Sequence, residues 1–317
     1  MLAFSVPFLG HSWRSFATYV ASFFNADIFD PIYSKPRRKY KVVIHLTDIV
    51  FLAKNIDVYT DIDAKHHIAW VDAEGLPLID VREVNKYFKV IVSSSFEKKI
   101  MEKSGVKVYG EVPRPLIPIM NTNRFRLKKK LFQERYGTYV SFVGANNIRK
   151  GLEELDEIAE KLREHSINVV AWTSVNTRLK YVKVENRFGF STKETVYGLI
   201  AGSKAFIYPS RVEGFGLPPL EAMYLRVPVV YNDAPAFNEF TVGVRIPYRE
   251  IRYATLEQYM LELRIANVNA FVNEVIKIVK YPQLYRGLVE IAYRKALEYG
   301  YTNVCKKLYE TVSKIIT

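Results

Sequence analysis

Short apolar runs alternate with amphipathic stretches along most of the chain, and the two periods separate strands from helices. In the first half, 41–44, 68–71 and 89–92 are apolar runs bounded by polar or turn residues, each of strand length. Residues 95–104 switch to helical spacing, with Phe96, Ile100 and Met101 on one side and Gly105 as the stop. Pro113, Pro115 and Pro118 then remove backbone donors and fix φ, so 111–123 is expected to be an interdomain linker. A second series follows: strand 139–143, helix 152–165, strand 169–172, helix 193–202, strand 205–208, a glycine-rich loop with another helix, and strand 228–231. Buried strands separated by helices make an α/β, doubly wound arrangement, a parallel sheet covered on both faces. The C-terminal stretch reads as helical, broken at Tyr281-Pro282, with Thr302 as N-cap for 304–316. The expected division is a small Rossmann-like domain over 1–118, a second one over 119–302, and a helix 303–317 that packs back on the first.

Composition narrows this picture. A chain of 317 residues suits two domains of roughly 100–200 residues each. With 49% hydrophobic and 25% charged residues it has the makeup of a folded globular protein and excludes disordered, collagenous and coiled-coil classes. No apolar run approaches a membrane span, and Met1-Leu2-Ala3-Phe4 lacks the basic start of a signal peptide, so a cytoplasmic protein is expected. The lone Cys305 has no disulfide partner, and His11, His45, His66, His67 and His165 show no metal-ligand spacing. His66 and His67 are strand neighbours that point to opposite faces, which favours structural roles.

The formal charge of +13 implies attraction to something anionic: phosphorylated substrates, nucleic acid or a lipid surface that the protein meets peripherally. Residues 1–120 hold 16 basic and 13 acidic side chains and the remainder 30 and 20, so the excess is C-terminal. Its densest stretch, 124–130, is expected to be a solvated basic linker, with a membrane or polyanion contact as the sharper reading.

The segment richest in candidate chemistry runs from Tyr208 through Glu213, Gly214, Phe215, Gly216, Leu217 and Pro218 to Glu221 and Met223. It leaves an apolar strand and opens a helix. Gly214 and Gly216 let a ligand approach the backbone, and Pro218 suits a first helical turn. Free N–H groups and the positive end of the helix dipole would bind a pyrophosphate. Glu213 in the loop and Glu221 one turn into the helix can serve different parts of one ligand, such as the sugar and the ribose of a nucleotide sugar. An ordinary helix start with acids that favour the dipole remains the plain alternative. Asp61-Ile62-Asp63 has the form of an Asp-x-Asp metal site but is read as a chance triplet.

Glu213 and Glu221 at E-x7-E spacing, within Pro-Ser-x-x-Glu-Gly-Phe-Gly-Leu-Pro-x-x-Glu-Ala-Met, resemble the signature of the retaining glycosyltransferases of family 4. Phe142-Val143-Gly144 with Arg149-Lys150-Gly151, Asn186 to Ser191, Val227-Pro228-Val229-Val230 and Pro235 to Glu239 are similar to further segments of that family, in the same order over 138–240. Trp70 to Pro77 and Val90 to Phe96 resemble, more loosely, its acceptor domain. The resemblance implies a GT-B fold, two Rossmann-like domains facing a cleft, and a retaining, metal-independent transfer from a nucleoside diphosphate sugar, without a cofactor. It places Lys150 at the donor diphosphate, Glu221 at the ribose and Glu213 near the donor sugar. Gly144, Gly214, Phe215, Gly216, Leu217, Phe188 and Gly10 would line the donor site, and His45 would face the cleft as a catalytic group, against a structural histidine as the plainer reading. Where the family has Arg after the glycine this chain has Ala145, and Arg149 is the candidate to supply that charge.

The acceptor stays open among lipid, glycan, protein and modified nucleic acid, and no obligate protein partner is evident. A nucleic-acid binder, with tyrosines interleaved among cations, and a noncatalytic nucleotide-sugar binder are the competing classes. Trp13, Arg14, Phe16, Tyr19, Phe23 and Phe24 form either a membrane-facing patch or the inner face of a first helix.

Overall fold

The computed structural model describes every residue except 7–10, 35, 146, 175–178 and 186–190, and the side chains of 11–15. The chain divides into two compact units: unit 1 comprises 1–117, 254–261 and 299–317, and unit 2 comprises 118–253 and 262–298.

The N-terminal elements are β1 Leu2–Ser5, α1 His11–Phe23, β2 Asp27–Phe29, β3 Tyr40–Asp48, α2 Ile49–Lys54, α3 Ile56–Thr60, β4 Ala64–Asp72, β5 Leu76–Pro77, α4 Val84–Tyr87, β6 Lys89–Val92, α5 Ser95–Lys103 and β7 Val108–Glu111. Then come α6 Thr122–Tyr136, β8 Tyr139–Val143, α7 Leu152–Arg163, β9 Asn168–Trp172, β10 Lys183–Glu185, α8 Lys193–Gly202, β11 Phe206–Tyr208, α9 Leu217–Tyr224, β12 Val229–Asn232 and β13 Val244–Ile246. A hairpin of β14 Glu250–Leu256 and β15 Tyr259–Ile265 precedes α10 Val268–Lys280, α11 Arg286–Leu297 and α12 Tyr301–Ile316.

In unit 1 six strands pair in parallel in the order β2-β1-β3-β4-β6-β7. Consecutive apolar residues on β3 and β4 are buried, as a sheet covered on both faces requires. Phe4, Phe16, Val20, Ile44 and Trp70 pack with Val304, Cys305, Leu308 and Val312 of α12, so the inner face of α1 is core. Asp48 starts α2 by accepting from Val50 N at 2.8 Å and Phe51 N at 3.0 Å. Ser94 does the same for α5 through Glu97 N at 3.1 Å.

Unit 2 holds a second sheet, in the order β10-β9-β8-β11-β12-β13, again parallel at the pairings that flank its centre. In chain order this is the 3-2-1-4-5-6 arrangement of a doubly wound dinucleotide-type domain. The fold class expected from periodicity is the observed one, with three corrections of detail. Residues 124–130 are not a linker: they lie in α6, which Asn121 caps by accepting from Arg124 N at 2.9 Å. A run of cations masks a helical period because its apolar side is carried by few residues, chiefly Phe132. The helix α12 begins at Tyr301 with Gly300 in the cap position, ahead of Thr302. The β14–β15 hairpin and the short strands β1 and β2 have no counterpart in the periodicity reading. No helix among the described residues is long and apolar enough to cross a membrane.

Candidate functional site

In unit 2 the chain winds outward in opposite directions from β8 and β11, so their carboxyl ends mark the switch point of the sheet, the usual ligand position in such folds. Two loops border it. After β8, Gly144 donates its N–H to Trp172 O at 3.1 Å, and a Cβ there would come within 2.7 Å of the Phe142 ring. Asn147 caps the short turn Ile148–Lys150 by accepting from Arg149 N at 3.1 Å. Gly151 has φ +64°, and a Cβ on it would lie 2.3 Å from Pro209 O, so only glycine permits this approach of the two loops. Arg211 N donates to Arg149 O at 2.6 Å and ties the loops together.

The Glu213 carboxylate is the centre of the arrangement. Lys150 Nζ donates to its two oxygens at 2.6 and 2.8 Å, Arg149 Nη1 donates at 3.3 Å, Ser210 Oγ at 2.5 Å and Tyr208 Oη at 2.8 Å. Burial alone would raise its pKa, but Lys150 and Arg149, with these hydrogen bonds, outweigh it and hold the carboxyl below the usual range. Glu213 is therefore a buried anion kept ionised by two cations. The Tyr208 hydroxyl is pushed well above its ordinary pKa, by burial first and by the neighbouring Glu213 second, and stays a donor. The Glu213 backbone is pinned as well, donating to Pro235 O at 2.8 Å and accepting from Ala236 N at 2.9 Å.

Beyond Glu213 the chain turns into α9 through Gly216, at φ +93°, where a Cβ would lie 2.8 Å from Phe237 Cβ. Pro218 occupies the first turn, and Leu217, the first residue of α9, is half-buried. Phe215 is buried and stacks on Phe240 at 4.7 Å. Glu221, 3% exposed, is one turn further on and forms an ion pair with Lys193, the first residue of α8. Lys150 and Glu213 thus meet directly, whereas Glu221 has a cation of its own.

A buried brace behind the loops was not legible in the sequence. Arg211, 4% exposed, donates to Glu154 at 2.7 to 3.2 Å, to Glu153 at 2.6 Å and to Ile148 O at 2.9 Å. Asn232 Nδ2 donates to Ser210 O at 3.1 Å and to Arg264 O at 2.7 Å. Arg211 lies inside the segment singled out by its glycines and carboxylates, but its side-chain partners are 57 to 63 residues away in sequence. Lys193 carried no signal beyond its place at a helix start.

Other candidates fall differently. Gly214 is buried in the same loop, and Arg149, the candidate replacement for a cation at Ala145, spends its guanidinium on Glu213. Gly10 and Phe188, with the rest of 186–190, lie outside the described residues. His45 is corrected from a cleft-facing group to a core one. It is 0% exposed, with Nδ1 2.6 Å from Ser5 Oγ and Nε2 3.0 Å from His67 Nδ1, and burial first and His67 second lower its pKa well below the ordinary value. Ile62 of the Asp-x-Asp triplet is buried, and Asp63 lies 3.6 Å from Lys39.

The comparisons with known proteins bear on the same region. Residues 123–242 match the family described as Glycosyl transferases group 1. The chain is 28% identical over 237 residues to "Putative glycosyltransferase 41" of Sulfolobus islandicus filamentous virus, a match that covers 73% of this chain and 66% of that relative's length. Among solved structures, it is similar to a glycosyltransferase from Rickettsia africae, with TM-score 0.70 and 11% identity over 99% of this chain and 98% of that one. It is also similar to Anabaena HepE in complex with UDP-glucose, with TM-score 0.65 and 13% identity over 86% of this chain and 79% of that one. The two parallel-sheet units and this likeness define the GT-B glycosyltransferase fold. Unit 2 carries the match to Glycosyl transferases group 1.

Proposed function

We propose that the chain is a glycosyltransferase that takes its sugar from a nucleoside diphosphate donor, retains anomeric configuration and needs no metal ion. The observation that carries this reading is the pair of cations, Lys150 and Arg149, fixed by the buried Glu213 anion beside the start of α9 at the switch point of the sheet. A departing nucleoside diphosphate gains negative charge. A prearranged lysine and a helix N-terminus stabilise that charge without reorganisation, the role that a divalent ion fills elsewhere. The contacts of Glu213 support a role in holding Lys150 in place. Glu221, already bound to an ammonium group, is suited to accept from the two ribose hydroxyls. The nucleotide in the HepE complex and the group 1 match over these residues support the donor class.

Thermal unfolding in a panel of UDP, GDP and ADP sugars tests this proposal. A donor that binds only the folded chain stabilises it by about 2.7 kcal/mol at a hundredfold excess over Kd. One nucleotide class should raise the midpoint, with chelator making no difference; a panel with no shift, or a shift that needs divalent metal, defeats the reading. Proton NMR of the product then reads the anomeric configuration.

A further inference from the structure

We propose that the outward face of α6 in unit 2 docks on an anionic lipid surface. The helix is held rigidly from behind: Phe132 is buried, and α8 presents Gly198 and Gly202 to it. A Cβ on Gly198 would lie 2.6 Å from Lys128 Cβ, and one on Gly202 3.2 Å from Lys129 O, so the two backbones approach closely and the orientation of α6 is fixed.

With Phe132 turned inward, Arg124, Leu127 and Leu131, three and four residues apart, are aligned along an exposed flank of the helix. Leu127 is 56% exposed and Leu131 46%, and Met120, two residues before the helix, is 66% exposed. Arg124, Arg126 and Lys130 are exposed around them, and the single acid of the helix, Glu134, lies 3.7 Å from Lys130. Leu127, Leu131 and Met120 put several large apolar side chains together on one exposed stretch, which is more than a singly exposed residue. Cations that ring exposed apolar side chains are the arrangement of an interfacial helix, in which basic groups meet lipid phosphates while leucines enter the acyl boundary. A polynucleotide would satisfy the cations but leave the leucines in water, and successive bases stack on aromatic side chains, which the exposed Leu127 and Leu131 do not supply. Charge and apolarity together therefore select lipid.

The test is flotation of the full chain with vesicles of phosphatidylcholine alone or mixed with phosphatidylglycerol. The protein should float only with the anionic vesicles and be released as salt rises. Arg124→Gln/Arg126→Gln/Lys130→Gln should lower partitioning about a hundredfold, from roughly fivefold per cation near an anionic leaflet. Leu127→Ser/Leu131→Ser, which keeps every charge, should lower it at least about fivefold. Unchanged thermal midpoints check that both variants fold. Wild-type chain that stays with the buffer, that floats equally on neutral vesicles, or that binds as well after loss of both leucines overturns the proposal. Single-stranded DNA that outcompetes the anionic vesicles overturns it in favour of a nucleic-acid surface. None of these readouts depends on donor or activity.

Discussion

Each unit buries a glutamate beyond the carboxyl ends of a parallel sheet, and the two take opposite protonation tendencies. Glu97 of unit 1 is 0% exposed and Glu213 of unit 2 is 5% exposed, so desolvation acts on both. Burial, then Asp72 beside it, pushes Glu97 well above the ordinary carboxyl range, although Arg114 pulls the other way. Arg114 pairs with Asp72 at 2.5 Å, so its charge is largely spent there. Glu213 contacts Lys150 and Arg149 directly and is held low. The same scaffold and the same residue type thus give a structural hydrogen-bonding group in one unit and a fixed anion in the other, and the neighbours supplied by the loops decide which.

Removing the charge of Glu213 attacks this contrast most directly. Glu213→Gln leaves Lys150 and Arg149 facing a neutral amide in a buried site, and breaking such a pair costs about 3–5 kcal/mol. Urea unfolding should show that loss, and transfer should fall with it. Next in size is Lys150→Ala, which spares Arg149 but removes the cation assigned to the leaving group. It should lower kcat by about 10² to 10³ with less effect on donor affinity, the magnitude for one preorganised charge-stabilising group. Steady-state kinetics that shift KM alone would assign Lys150 to ground-state binding. Smaller again, Glu221→Gln should weaken donor binding by about tenfold to a hundredfold, the range for a hydrogen bond to a charged group, and leave kcat close to wild type. Isothermal titration with nucleotide alone would register this, because the ribose contact does not need the sugar.

Much of unit 2 was legible because its strands are continuous apolar runs and its key loop joins glycines, a proline and two acids in one stretch. The boundaries of β8 and α8 fall where periodicity placed them. What escaped the sequence reading was set by tertiary contact. The Arg211 brace, the Lys193 partner of Glu221 and the α6 helix all depend on residues distant in the chain, and local pattern carries no trace of them. His45 shows the converse. Its position within an apolar strand was visible, but its enclosure by Ser5, His67, Tyr59 and Phe88 follows from strand order.

The smallest effect sharpens the comparison most. Because Glu97 favours the protonated state, Glu97→Gln replaces a group already close to an amide in charge and shape. Glu97 Oε2 accepts from Ser93 N at 2.7 Å, a contact the amide oxygen can keep, and only the longer one, Oε1 from Ala73 N at 3.4 Å, is given up. The variant should lie within about 1 kcal/mol of wild type near neutral pH, in contrast to Glu213→Gln. The pH dependence fixes the sign. A carboxyl raised in the folded state contributes stability that is full below its unfolded pKa of about 4.5 and is lost as pH rises through the folded value. Wild type should therefore lose stability relative to Glu97→Gln as pH climbs above that point. Glu213, held low, contributes stability present above about 4.5 and lost as pH falls through its folded value, so wild type loses its advantage over Glu213→Gln on acidification. Two difference curves of opposite slope are expected; parallel curves would mean that the cations around Glu213 do not set its state.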